Sequence, residues 1–111
     1  MDKISKEDWK LFREKLPLWQ ERYMEQLLKE YADIIAKPEN ASDRFWELNN
    51  KIKADAKNPG VQVCMRKSDV LINLMSLLGN GVIEFSDLDG FSESVITDLK
   101  RVVDWALNSN C

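Results

Sequence analysis

Apolar residues recur at helical spacing through most of the chain and alternate over almost none of it. In "SKEDWKLFREKL" the residues Trp9, Phe12 and Leu16 fall three or four apart, which places them on one face of a helix. Ser5 stands just before that face, where its hydroxyl can accept a bond from an orphan backbone N–H, and Asp8 follows three residues later in a variant of the capping box. Pro17 has no backbone donor, so this first helix is predicted to end or kink there. "PLWQERYMEQLLKEYADIIAK" predicts a second, longer helix. Trp19, Tyr23, Leu27, Tyr31 and Ile34 follow the helical period, and Met24, Leu28 and Ile35 widen the stripe. Pro38 breaks it, Asn40 and Ser42 offer caps, and a third helix is predicted to run to about Asn58 with Phe45, Leu48, Ile52 and Ala56 on its buried side.

The stretch after Asn58 admits two readings. Pro59 at a first helical position permits a long fourth helix to Leu78, with Val63, Val70, Leu71, Leu74, Met75 and Leu78 facing the core. Alternatively, "VQV" alternates like a strand and Ser68 starts a shorter helix. Gly79 or Gly81 then supplies the left-handed residue that ends the element. Ser92 caps the last helix, Phe91 and Ile96 form its hydrophobic staple, and Val95, Leu99, Val102, Val103 and Ala106 carry the period to Leu107. The expected fold is all-α: a compact antiparallel bundle of about five helices with short connections, in one domain spanning residues 1–111.

Composition narrows the function classes. A chain of 111 residues that is 44% hydrophobic and 32% charged supports one core. No run approaches the ~18 apolar residues of a membrane span, and no apolar stretch follows the charged N-terminus, so the chain reads as soluble and unprocessed. Cys64 and Cys111 make a poor disulfide framework and read as reduced thiols of a cytoplasmic protein. The chain has no histidine, which removes Ser-His-Asp triads, Cys-His pairs and the usual zinc ligand sets. No glycine-rich phosphate loop occurs either, so neither an enzyme nor a bound cofactor is expected. The net charge of −3 makes nucleic acid an unlikely partner, and the basic group Lys51, Lys53, Lys57, Arg66 and Lys67 reads as a solvated face.

"GNGVIEFSDLDGFS", residues 79–92, resembles the second half of a calcium loop. With Gly81 at the turn position, Asn80, Ile83 and Asp87 fit, but Ser76 and Leu78 then occupy the first ligand positions and fail, so no metal is expected. The stretch reads instead as a helix stop and a short turn begun by Ser86, with Asp89 in the capping position. Its charge is the unexplained part: Glu84, Asp87, Asp89, Glu93 and Asp98 occur with no lysine or arginine from residue 84 to 98. Helix N-termini account for Asp87, Asp89 and Glu93, and the whole set is a candidate acidic docking face.

Among the aromatic residues, Trp9, Trp19 and Phe45 read as core fillers. Trp46 lies about 100° around the helix from Phe45, so the two cannot share the centre of one interface. It is the first candidate contact residue, against the alternative that it covers the end of the bundle, and Trp105 has the same ambiguity.

The runs "WKLFREKLPLWQERYM", "FWELNNKIKADAKNPGVQ" and "GVIEFSDLDGFSE" resemble a group of short proteins encoded by gut Firmicutes and their mobile elements, over nearly the whole chain. Some members carry a multidrug-transporter label, which conflicts with a chain that has no span. The resemblance implies no catalytic or binding residues. It implies a setting in which small acidic proteins bind and block a host protein, CRISPR effectors included. The expectation is therefore a non-enzymatic protein that acts on an unidentified protein partner as a phage or mobile-element modulator. Two alternatives remain: an inhibitor of a bacterial defence nuclease that uses the acidic face, and a small helical nucleic-acid-binding regulator.

Overall fold

The computed structural model describes residues 4–109, and the side chains of residues 4–104. Four α-helices make up the described chain: α1 (Lys6–Ile35), α2 (Ala41–Asp55), α3 (Val70–Gly79) and α4 (Glu93–Ser109), with single 3-10 turns at Lys67–Asp69 and Phe85–Leu88. No strand occurs among the described residues, and no helix among them is long and apolar enough to cross a membrane. Trp105 has no described side chain, and Cys111 lies outside the described residues.

The all-α expectation holds, but the helix count is four and not five, because Pro17 lies inside one continuous helix of 30 residues. Tertiary packing overrides the local signal here. Leu16 and Trp19, on either side of the proline, are both buried in the same core, which carries the helix through it. Pro17 is exposed, as is Arg13, whose carbonyl loses its usual i+4 donor, so water can take up the freed acceptor. The start of α1 follows the sequence: the Asp8 amide donates to Ser5 Oγ at 3.1 Å.

The core forms around the first half of α1. Phe12, Leu16 and Trp19 pack with Val70, Leu71, Leu74 and Leu77 of α3, Val95 and Leu99 of α4, and Val82, Ile83, Leu88 and Phe91 of the connecting segment. Trp19 links the layers, edge-on to Phe12 at 6.4 Å and stacked on Phe91 at 6.3 Å. The long helix to Leu78 is not formed: residues 62–66 lie in no regular element, the "VQV" stretch makes no strand, and α3 begins at Val70 after the 3-10 turn that contains Ser68. Asn58 does not cap a helix; its Oδ1 accepts from the Gly60 amide at 2.8 Å and turns the chain. Gly60 is buried against the Tyr23 ring, where a Cβ would collide with the ring carbons.

The helix stop after α3 is a Schellman motif. Gly81 is left-handed (φ 72°), its amide donates to Leu78 O at 3.2 Å, and the Val82 amide donates to Leu77 O at 3.0 Å. Buried Val82 and Leu77 supply the accompanying apolar pair. Ser92 then caps α4 as expected, its Oγ accepting from Val95 N at 3.4 Å.

Removing the internal proline restores a helical hydrogen bond on an exposed face. Pro17→Ala is expected to stabilise the protein by about 1–3 kcal/mol, seen as a higher denaturant midpoint with an unchanged slope.

Candidate functional site

The second half of α1 and α2 form a hairpin beside the core. Its turn is fastened by Arg44, whose Nη1 donates to the terminal Ile35 carbonyl at 2.7 Å and whose Nε donates to Glu39 O at 3.0 Å. The bond to Ile35 satisfies a carbonyl that the helix C-terminus leaves open, and the bond to Glu39 ties down the turn. The second half of α1 buries Leu27 and Ile34, and polar links join it to α2. Lys37 pairs with Glu47 at 2.6 Å, Lys51 with Glu30 at 3.1 Å and with Asp55 at 3.1 Å, and the Tyr31 hydroxyl donates to Asp55 at 2.7 Å. Burial, with that bond, pushes the Tyr31 hydroxyl up to about 12.

Polar links along the seam leave the apolar stripes of both helices pointing to one side of it. α2 buries none of its residues. Phe45 is 62% exposed and Ile52 44%, which corrects their assignment to a buried side and Phe45's assignment to the core. On α1, Leu28 and Ile35 are 59% and 55% exposed. A shallow apolar groove of about 190 Å³ runs between Leu28 and Ile52, and another of about 210 Å³ between Ile35 and Phe45. Periodicity alone did not reveal this face, since it groups residues on one side without saying what covers them. The available signal was the double stripe on α1: Met24, Leu28 and Ile35 lie roughly 100° around from Tyr23, Leu27 and Ile34, wider than one neighbour fills.

Trp46, the sequence-derived contact residue, is 58% exposed on the flank of this face, with its ring edge-on to Phe45 at 5.1 Å. The acidic candidates lie on the other part of the molecule and are differently committed. Asp87 is held by Arg22 in a two-pronged pair, both contacts 2.9 Å, and also accepts from Glu84 N at 2.8 Å. The turn cap therefore belongs to Glu84 and Asp87 instead of Ser86 and Asp89. Lys15 donates to the Asp89 carbonyl at 3.1 Å, while Asp98 lies 3.9 Å from Arg101. Glu84, Asp89 and Glu93 are exposed. Lys15 and Arg22 thus place positive charge against the segment from α1. Of the basic group, Lys51 and Arg66 are paired, Arg66 with Asp69 at 2.9 Å.

Among the described residues, the one buried charged side chain is Asp8. It accepts from Ser5 Oγ at 2.9 Å, from Ser92 N at 2.9 Å and from Ser92 Oγ at 2.7 Å, tying the start of α1 to the start of α4. Its bonds are all accounted for within the fold. Among the described residues, no three or more histidine, cysteine, aspartate or glutamate side chains converge as a metal-binding group. Cys64 is a free, exposed thiol.

Comparison with protein-family models, with curated proteins and with solved structures yields no match for this chain.

Two predictions separate these sites. The Arg22 hydrogen bonds, the main influence, hold the Asp87 carboxyl below its ordinary value of 3.8. A lowered folded-state value means that the pair's contribution is present above pH 3.8 and is lost as pH falls through the lowered value. Asp87→Asn is expected to cost about 1 kcal/mol at neutral pH, and melts repeated down to strong acid should show the gap to wild type closing. Trp19→Ala should cost roughly 3–5 kcal/mol, and Trp46→Ala under about 1.5 kcal/mol, in parallel denaturant melts.

Proposed function

We propose that this chain is a non-enzymatic interaction protein whose contact surface is the apolar face of the α1–α2 hairpin. One observation carries the reading: α2 presents Phe45, Trp46 and Ile52 on its surface and buries no residue of its own. An isolated exposed leucine needs no explanation, but a contiguous apolar face with polar residues confined to the seam and margins has the anatomy of an interface. Trp46 is the anchor of that contact, since tryptophan is enriched among residues that dominate binding energy. The resemblance to short proteins of mobile elements supports a role as a modulator of a host protein. Nuclease inhibition through the acidic segment has less support, because Asp87 is already paired with Arg22 and Lys15 lies against Asp89.

Site-specific photo-crosslinking in a bacterial host tests the reading. A benzoylphenylalanine probe in place of Phe45 is expected to give a protein adduct, and a probe in place of exposed Lys100 on α4 is not. Trp46→Ala in the Phe45 background should weaken the contact by about 2 kcal/mol, roughly thirtyfold. The reading fails if position 45 yields no protein adduct, or yields the same adducts as position 100.

A further inference from the structure

The hairpin face has the geometry of half a four-helix bundle. We infer that its occupant is a second copy of this chain: two hairpins pack face to face, with the two-fold axis along their length, so that each α1 lies beside its own α2 and the other copy's α2. This rests on the interaction reading above and names the partner of that face. In the arrangement every neighbouring pair of helices is antiparallel, as in up-down bundles, and one self-complementary patch serves both copies.

Three features of the hairpin fit this occupant. The first is shape. Within the hairpin, Arg44 reaches Ile35 and Glu47 reaches Lys37 near the turn, while Lys51 reaches Glu30 further along, so Trp46 stands near the turn end, about level with the last turn of α1. A two-fold axis along the hairpin preserves levels, and it brings Trp46 to the outer edge of the second copy's α1. That edge carries Ala32 and Ala36, both exposed and small enough to seat an indole.

The second is charge. The outer edge of α1 carries exposed Glu21 and Glu25, and at the same end of the hairpin exposed Lys53 lies on the outer edge of α2 with exposed Lys57 in the turn just beyond it. Placing α1 of one copy beside α2 of the other sets these acids against these lysines. The opposite axis, perpendicular to the helices, sets α1 edge against α1 edge and loses the pairing.

The third is area and room. Side chains of aromatic size expose roughly 150–250 Å² when free, so the observed exposures amount to roughly 400–500 Å² of apolar face per copy. Two copies, with their flanking residues, reach the scale of about 1,000 Å² at which specific interfaces begin. Helical rotation places Phe12, Leu16 and Trp19 about 120–180° around α1 from Leu28, so the core lies away from the approaching copy.

Sedimentation equilibrium on the full chain tests the inference. Wild type is expected to reach twice the 12.9 kDa chain mass, with a dissociation constant in about the micromolar range. Ile35→Glu should give a monomer with unchanged helical circular dichroism, since Ile35 is a surface residue in the monomer. Lys53→Glu should weaken association at low salt, and the double variant Glu25→Lys, Lys53→Glu should restore it, which a merely sticky surface would not do. A wild-type monomer at about 100 µM, or a dimer that survives Ile35→Glu, overturns the inference. Failure here remains distinguishable from failure of the interaction reading: Phe45 adducts with host proteins alone would keep that reading and remove the second copy, whereas no adduct at all would remove both.

Discussion

A helix of 30 residues is about 45 Å long, while a compact chain of 111 residues has a radius of gyration near 13 Å. α1 therefore cannot be enclosed by the rest of this chain, and every other element has to choose which part of it to cover. The molecule measures 53 × 36 × 21 Å with a radius of gyration of 16.9 Å, extended along that helix. α3, α4 and the segment between them gather on the first half of α1 and complete a core there. α2, with Gly60 and Val61 just after it, is left for the second half, and one helix covers only one side of another. The exposed apolar face follows from this division of labour.

Attachment to α1 differs between its two halves. On the core side the links are apolar and inter-layer: Trp19 between Phe12 and Phe91, with Asp8 and Arg22 adding polar clamps to the start of α4 and to the 85–88 turn. Asp8 sits at the positive ends of two helices at once and accepts from Ser5 and Ser92, which lets a carboxylate be buried with no basic partner. On the hairpin side α1 buries only Leu27 and Ile34, and the remaining links are ion pairs and hydrogen bonds, of which each solvent-accessible pair contributes at most about 1 kcal/mol. Trp19 and Trp46 illustrate the contrast, being the same residue type on two helices, one 5% and the other 58% exposed.

Helical periodicity located every long helix, and the capping residues Ser5 and Ser92 marked two of their starts, because those signals are local. Two failures have a common cause. Pro17 marks a boundary by its missing donor, yet Leu16 and Trp19 are buried in one core and carry the helix through it. Phe45 and Ile52 share a stripe, yet nothing in this chain covers them. In both cases the outcome depends on which elements meet, and that is set by residues far away in sequence. Trp46 was legible as a contact candidate only through its offset from Phe45, while Asp87 was legible as an acid and not as the partner of Arg22, 65 residues earlier.

The weak attachment of α2 has a dynamic consequence. Fifteen residues are near the length at which an isolated helix is marginal in water, and α2 gains no fully buried side chain to compensate. Its helix is held by the Arg44 staple at the turn and the polar seam, with Gln20 donating to Pro59 O at 3.1 Å just beyond its end. Local opening of α2 therefore costs less than opening of the Trp19 core. Any protein that covers Phe45, Trp46 and Ile52 binds the closed hairpin and not the open one, so it stabilises α2 in proportion to its occupancy. Folding of the hairpin and occupation of its face are in this way one linked equilibrium.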